Sequence, residues 1–313
     1  MKDKNVIVTG GLGFIGSHLA ENLVRDNHVT LIDNRSTGDC KNIRHVAKEG
    51  LEVIIGDITT LNLAKIFDGF DYVFHQAALP SVPRSVKDPL ASNESNITGT
   101  LKVLIAAKDA GIKKVVYASS SSVYGDTATL PKREDMSVNP VSPYAVTKAT
   151  GEFYCTVFQK IYDLPTVSLR YFNVFGPRQD PLSQYAAVIP KFVTAMLKNK
   201  RPTVYGDGLQ SRDFTFVRHV VEANLLACES GATGTFNIAC GRSITINELV
   251  GLINEVLGTT IEPQYVAHRP GDIKHSLADV AKAKLFGYDP LSSFKEELAE
   301  TLRWFENGLT REN

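Results

Sequence analysis

The chain has 313 residues, of which 43% are apolar and 22% charged, enough for two domains or one large one with a sizeable core. Lysine and arginine together number 34, as do aspartate and glutamate, so the formal net charge is zero; a wholesale nucleic-acid binder, which carries a basic excess, is disfavoured. The longest stretch free of charged side chains, Asn5 to Ala20, is 16 residues with four glycines, short of the ~20 apolar residues of a membrane-spanning helix.

In chain order, the first half alternates brief apolar runs with longer helical stretches. Val6–Thr9, Val29–Ile32, Val53–Ile55, Tyr72–Phe74, Val115–Ala118 and Thr166–Leu169 are short and rich in β-branched or aromatic residues. Between them, Ile15–Arg25, about Pro89–Ala110, and Pro143–Tyr162 carry a 3.6-residue periodicity. Continuous apolar runs suit parallel strands buried on both faces, and each parallel crossover needs a helix, so the pattern predicts an α/β, doubly wound parallel sheet. After Phe172 the rhythm breaks: Gly176-Pro177, Pro181, Pro190, Pro202, Gly206, Gly208, Pro263, Pro270 and Gly271 punctuate shorter elements. The expected division is a dinucleotide-binding domain over 1–172, to which elements at about 213–240 return, and a smaller lobe over 173–313. A last helix is predicted over Phe294–Asn307, followed by a fraying polar tail.

The turn after the first strand spaces Gly10, Gly13 and Gly16 as G-x-x-G-x-x-G. Such a loop allows a tight turn, close approach of a pyrophosphate, and helix-start N–H groups that receive its charge. Asp33 ends the second strand, 17 residues after Gly16. A carboxylate there accepts from an adenosine ribose and repels a 2′-phosphate, which favours NAD over NADP, with Arg35 nearby as the feature that suits the phosphorylated form. Gly56-Asp57-Ile58 after the third strand fits either an adenine contact or a plain turn.

Tyr144 and Lys148 share one face of a helix at i and i+4, a spacing equally open to a tyrosine above a solvated lysine. The Ser119–Ser122 cluster, however, ends a strand at the sheet's carboxyl edge, where ligands bind in open α/β sheets. A phenol acting as a base near neutral pH must shift from ~10 by about three units, or roughly 4 kcal/mol. One positive charge ~5 Å away supplies about 3 kcal/mol at an effective dielectric of ~20. Lys148 and an oxidised nicotinamide would supply the shift together, with a serine hydroxyl sharing the substrate oxygen.

The glycine loop, Asp33, the Tyr117–Tyr124 segment followed by Gly125, and the Tyr144/Lys148 pair resemble the extended short-chain dehydrogenase/reductase family. The likeness continues through Arg170–Pro177 and Arg212-Asp213-Phe214 to Arg269-Pro270-Gly271-Asp272. Within the family it is closest to the UDP-sugar 4-epimerases, especially the UDP-N-acetylglucosamine group, on Leu79–Ser85 and Asn173–Pro190.

The resemblance implies a Rossmann sheet, tightly bound NAD, and Ser120, Tyr144 and Lys148 as catalytic residues assisted by Ser122. It implies cofactor contacts from Gly10, Gly13, Phe14, Ile15 and Gly16 in the loop, and from Asp33, Asn34, Ser36, Thr37 and Gly38 at the ribose. Asp57 and Ile58 would lie at the adenine, and Gln76, Ala77, Ala78, Asn96, Ser119, Tyr144, Lys148 and Tyr171 along the rest of the groove. On the UDP-sugar side, Arg212 and Arg269 would clamp the diphosphate through paired N–H donors. Asp272 would accept from the uridine ribose, Asn173 would hold a phosphate or sugar hydroxyl, and Tyr205 would face the uracil. Ser120, Tyr144, Ala187, Val188 and Arg84 complete the implied substrate contacts. Ser276 falls where 4-epimerases restricted to non-acetylated sugars carry a tyrosine, so it leaves room for a 2-acetamido group.

Dehydratases of this family carry an Asp-Glu pair after the catalytic threonine, and UDP-glucuronate decarboxylases a glutamate in the same segment; here Ser121-Ser122 stand instead. The expected reaction is therefore NAD-dependent 4-epimerisation of a UDP-hexose through a transient 4-keto sugar, on UDP-GlcNAc/UDP-GalNAc and also UDP-glucose/UDP-galactose. Open beside it are UDP-glucuronate as substrate with Arg178 reading the carboxylate, another nucleotide-sugar-modifying activity, and a non-catalytic dinucleotide sensor. A homodimer is implied, with helices at about 89–110 and 142–162 of each subunit forming a four-helix bundle. Cys40, Cys155, Cys228 and Cys240 form no C-x-x-C pair and read as reduced thiols. Histidines 18, 28, 45, 75, 219, 268 and 275 show no metal spacing, so no metal is expected. Met1–Lys4 leads into the first strand without a secretory segment, which gives the expectation of a cytoplasmic protein with no membrane or nucleic-acid partner.

Overall fold

The computed structural model of the chain describes residues 1–46, 49–180, 187–268 and 274–311, with side chains to 308. Seven strands form the central sheet: β1 (Asn5–Thr9), β2 (His28–Asp33), β3 (Leu51–Ile55), β4 (Tyr72–His75), β5 (Lys114–Ser120), β6 (Thr166–Tyr171) and β7 (Gly234–Ile238). All neighbours pair in parallel, in the order β7-β6-β5-β4-β1-β2-β3. The order reverses between β1 and β4, and a crevice for a ligand opens there at the strands' carboxyl ends.

The alternation of side chains along β1 divides the core between the two faces of the sheet. Val6 and Val8 face α1 (Phe14–Leu23), where they meet Leu19, Ala20 and Leu23. Ile7 points the other way, with Val73, Val115 and Tyr117, into α2 (Gly99–Asp109) and α3 (Pro143–Tyr162) through Val103, Leu104, Cys155 and Phe158. Both faces are covered, which is why each strand reads as an unbroken apolar run.

The helix predicted over Pro143–Tyr162 forms with those bounds. Ser142 caps it by accepting from the Ala145 N–H at 3.2 Å, Pro143 occupies the first turn, and Asp163 ends it in a left-handed conformation (φ 54°). The single helix predicted over 89–110 is instead three pieces: Pro89–Asn93, a π-helical turn at Glu94–Thr98, and α2. The wider turn turns Asn96 inward, where its side chain bonds the Leu79 backbone. The first helix is two residues shorter at its C-terminal end than predicted. The last helix continues through Asn307-Gly308 to Arg311 rather than giving way to a tail.

Beyond β6, Val174–Phe175 pairs in parallel with Thr215–Phe216. The chain includes α4 (Val188–Leu197), α5 (Val217–Glu229), α6 (Ile246–Leu257) and α7 (Phe294–Arg311). Phe175, Phe192, Phe214, Leu249, Phe294 and Leu298 form the core of this half, while α5 packs on α1 and leads into β7. No described helix is long and apolar enough to cross a membrane.

Candidate active site

The β1–α1 turn is shaped by what it cannot accommodate. Gly10 has φ 70°, and a Cβ there would lie 2.7 Å from the Ala77 backbone nitrogen. A Cβ on Gly16 would penetrate the Gly10 carbonyl oxygen. Gly13 opens α1 with no side-chain cap, so the first N–H groups of the helix face the crevice as an anion site. At the end of β2, the Asp33 carboxylate is oriented by two backbone donors, Leu12 at 3.0 Å and Arg35 at 2.7 Å. Asp57 is fixed similarly, accepting from the Asn34 side chain at 2.7 Å and the Thr59 N–H at 2.8 Å.

These groups line one continuous groove. Its walls are Gly10, Gly13, Phe14, Ile15 and Gly16; Asp33, Asn34, Ser36 and Thr37; Asp57 and Ile58; Gln76, Ala77 and Ala78; and Ser119, Tyr144, Lys148 and Tyr171. Nearly every cofactor residue expected from sequence is brought together there. Gly38 does not line it but backs the carboxylate, since a Cβ at that position would lie 2.9 Å from Asp33 Oδ2. Asn96 does not line it either: its side-chain amide accepts from the Leu79 N–H at 2.7 Å and donates to Thr147 Oγ1 at 3.1 Å. It thus buttresses the wall against α3, and its neighbour Ser95 faces the groove instead. Pro80 and Ser95 also line the groove without having been expected there: Pro80 belongs to the Leu79–Ser85 run, which the resemblance ties to the sugar side through Arg84, and the π-helical turn that presents Ser95 has no short-range signature.

At the groove's inner end, Ser120 closes β5 and Tyr144 and Lys148 project from the first turns of α3. Ser120 Oγ accepts from the Ser122 N–H at 3.2 Å and stands close enough to the Tyr144 hydroxyl to ease the phenol's ionisation. The Lys148 ammonium donates to the Ala118 carbonyl at 2.7 Å and lies 5.9 Å from the Tyr144 ring centroid and 5.2 Å from that of Tyr117. Burial pushes the Tyr144 phenol above its ordinary value, and the Ser120 hydrogen bond pulls the other way. Burial brings Lys148 down to about 8, against the Glu152 carboxylate, which raises it. In the chain by itself, therefore, desolvation outweighs the Ser120 side chain, and added positive charge is needed to favour phenolate. The Ser122 hydroxyl is buried without a hydrogen-bond partner among the described residues.

A second cavity, of about 490 Å³, lies between Asn173–Phe175, α4, Thr203–Tyr205 and Arg212. Of the expected substrate contacts, Ala187, Val188 and Tyr205 line it, over a floor of Phe175, Phe192 and Phe214. Asn173 (φ 33°) donates to the Asp213 carbonyl at 3.0 Å and to Ser276 Oγ at 3.4 Å, which brings Ser276 to the same site. Arg212 donates to the carbonyls of Ser211 and Lys274 at 2.9 and 3.2 Å. The buried Asp213 carboxylate accepts from the Cys240, Gly241 and Ala278 N–H groups, tying the 276–278 strap to this wall. Lys191 and Arg201 also line the cavity and were not anticipated; Arg201 donates to the Glu262 and Pro263 carbonyls across Thr203–Tyr205. Arg84, on the Val82–Lys87 helix, lines neither cavity. Arg269 and Asp272 lie outside the described residues, as do Pro181 and Tyr185. Arg178 is turned toward α1, where its guanidinium pairs with Glu21 and contacts His45.

Residues 6–239 match the NAD dependent epimerase/dehydratase family. The chain is 38% identical over 309 residues to a UDP-glucose 4-epimerase of Mycolicibacterium smegmatis, covering 96% of this chain and 98% of that protein. It superposes with a TM-score of 0.97 on a UDP-N-acetylglucosamine 4-epimerase from Methanobrevibacter ruminantium in complex with UDP-N-acetylmuramic acid, at 50% identity over 98% of this chain and 100% of that one. It superposes with a TM-score of 0.90 on a UDP-glucuronic acid 4-epimerase from Bacillus cereus in complex with UDP-glucuronic acid and NAD, at 32% identity over 97% and 99% of the two chains.

Proposed function

The chain belongs to the NAD-dependent epimerase/dehydratase family, and from that premise we propose that it epimerises a UDP-hexose at C4, acting on UDP-GlcNAc/UDP-GalNAc and on UDP-glucose/UDP-galactose. The observation that carries this reading is the convergence of Tyr144 and Lys148 on the wall of the groove, at the end of the strand that Ser120 closes, in a segment where Ser121 and Ser122 provide no acid for elimination or decarboxylation. The glycine cradle, which a Cβ would fill, and the doubly held Asp33 carboxylate fit NAD. Bound there, NAD supplies the acceptor and then the donor of the C4 hydride, so the reaction has no net redox change. Tyr144 takes the proton of the sugar 4-hydroxyl and returns it, Ser120 holds that oxygen, and Lys148 stabilises the phenolate. Asn173 and Arg212 anchor the nucleotide while the sugar turns over, with Arg269 and Asp272 assigned to the same task. Release of UDP-GalNAc from UDP-GlcNAc, and of UDP-galactose from UDP-glucose, by the purified protein is the direct test; absence of both products overturns the reading.

Two observations refine the substrate. Arg178, the residue that a uronate reading would need, is committed to Glu21. Ser276, small and bonded to Asn173, leaves the space that an acetamido group requires. Ser276→Tyr is expected to abolish turnover of UDP-GlcNAc while sparing UDP-glucose, read by parallel product analysis. Equal loss on both sugars would remove Ser276 from the specificity role.

We also assign a homodimer. Along α3, Val146, Phe153, Val157 and Ile161 form an exposed apolar stripe at helical spacing, next to exposed Leu90 and Ile105 on the neighbouring helices. Phe153 is 58% exposed, unusual for an aromatic side chain without a partner surface. Phe153→Lys is expected to convert a dimer into a monomer in light scattering; a monomeric parent at working concentration would contradict the assignment. The four free cysteines support a reducing, cytoplasmic setting.

A further inference from the structure

Lys148 sits among many titratable side chains, yet few of them carry charge. On its own helix Cys155 is pushed up to about 12 by burial, and Tyr144 is raised as well. On β5 the buried Tyr117 phenol is well above its ordinary value. On β4 burial holds His75 down to about 3. Tyr124, beyond β5, is raised to about 12. Near neutral pH these five are uncharged. Among the described residues, the charges left beside Lys148 are the Glu152 carboxylate, one turn further along α3, and the Arg170 guanidinium on β6.

Glu152 and Arg170 are both buried, and each holds the other in one geometry. Arg170 Nε donates to Glu152 Oε1 at 2.8 Å and a terminal nitrogen donates to Oε2 at 2.7 Å. Ser119 Oγ donates to Oε1 at 2.5 Å from the end of β5, and the Arg170 guanidinium lies 4.6 Å from the Tyr124 ring centroid. A buried ion pair is often worth no more to stability than a packed apolar pair, while removing one partner leaves an uncompensated charge. Lys148, meanwhile, spends a proton on the Ala118 carbonyl rather than on a carboxylate, so its positive charge has no directly bonded anion among the contacts described.

We propose that Glu152 is the counter-ion that keeps Lys148 protonated while Tyr144 cycles, and that Arg170, through its two-point grip on Glu152, sets how much negative charge the lysine feels. The inference rests on the reading of Lys148 as part of the proton relay. Both are positioning residues, acting on the sugar through Lys148. Too little negative charge and Lys148 sheds its proton when the cofactor's own cation arrives; too much and it no longer favours phenolate strongly.

The test is the protonation midpoint of Lys148 in the NAD-loaded protein, measured by NMR of isotope-labelled lysine side chains across pH, with the Lys148 signal assigned by its absence in Lys148→Arg. Glu152→Gln keeps shape and removes the anion, and is expected to lower the midpoint by about one pH unit, a ten-fold change in proton affinity. Arg170→Gln frees the carboxylate from its partner and is expected to raise the midpoint. Glu152→Asp, which keeps the charge, is expected to restore the parent value more nearly than Glu152→Gln. The alkaline limb of kcat should move with the midpoint in each variant. A purely structural pair would lower Tm in both glutamine variants and leave the Lys148 midpoint unmoved, which overturns the proposal; opposite shifts support it, and if one variant fails to fold the shift in the other decides. The NMR titration reads Lys148 whether or not sugar turns over: an inactive parent with shifting midpoints overturns the epimerase reading alone, and an active parent with fixed midpoints overturns the counter-ion alone.

Discussion

Tyr144→Phe is expected to lower turnover of the UDP-sugar by a factor on the order of 10³ to 10⁴, with folding and dinucleotide content unchanged. The ring stays half-buried in the groove wall, and the hydroxyl, beside Ser120, holds no element of the fold in place. What disappears is the proton acceptor. The pH dependence of the parent enzyme follows from the same two groups. Burial raises the Tyr144 phenol and brings Lys148 down to about 8, so the cofactor-free chain loses the lysine proton before the phenol's, the reverse of the productive order. A positive charge added in the groove favours phenolate. Activity should therefore rise with pH as the phenol ionises and fall as Lys148 loses its charge, a bell whose alkaline limb is set by the lysine. Measured kcat against pH, for parent and variant, checks both statements; a variant as fast as the parent would end the assignment of Tyr144.

Local sequence made the groove legible and left its far walls dark. The six early strands, α3 with its Ser142-Pro143 start, and the G-x-x-G-x-x-G turn are short-range patterns in which neighbouring residues satisfy one another, so they can be read without the fold. Asp33 was legible because its place at the end of β2 fixes what its carboxylate can reach. Asn96 carried no such cue. Its partners, Leu79 and Thr147, lie 17 and 51 residues away, and the π-helical turn that points it at them interrupts an otherwise even apolar period. Arg178 shows the same limit. In the sequence it is a free cation beside the substrate segment, and only the fold puts Glu21, from 157 residues earlier, against it. Lys191 and Arg201 reach the second cavity through the packing of α4 on Thr203–Tyr205, a contact that no single segment encodes.

Gly16→Ala is expected to empty the protein of its dinucleotide although the reacting residues are untouched. The new methyl would overlap the Gly10 carbonyl oxygen and lie 2.9 Å from the Gly11 Cα, so backbone has to move. The helix cannot yield, because Leu19, Ala20 and Leu23 are fully or almost fully buried under the sheet. The loop is the softer side, but it is tied by the Gly10 N–H to the Ile32 carbonyl at 2.7 Å and abuts Ala77. Displacing it pulls the N-terminal amides of α1 out of register with the pyrophosphate they are meant to receive. Overpacking of this kind costs roughly 3 kcal/mol, and if that cost falls mainly on the bound state, affinity for the dinucleotide drops on the order of 10²-fold. Gly13→Ala, whose Cβ would sit 3.2 Å from the same carbonyl, should lose much less. Gly251→Ala, in α6 with open space around it, should stabilise by about 0.5–1 kcal/mol through helix propensity alone. Nucleotide released on acid denaturation, counted per chain, and the Tm of each variant separate the three; Gly16→Ala retaining one dinucleotide per chain would show that the cradle tolerates a side chain and that the phosphate site has been placed in the wrong turn.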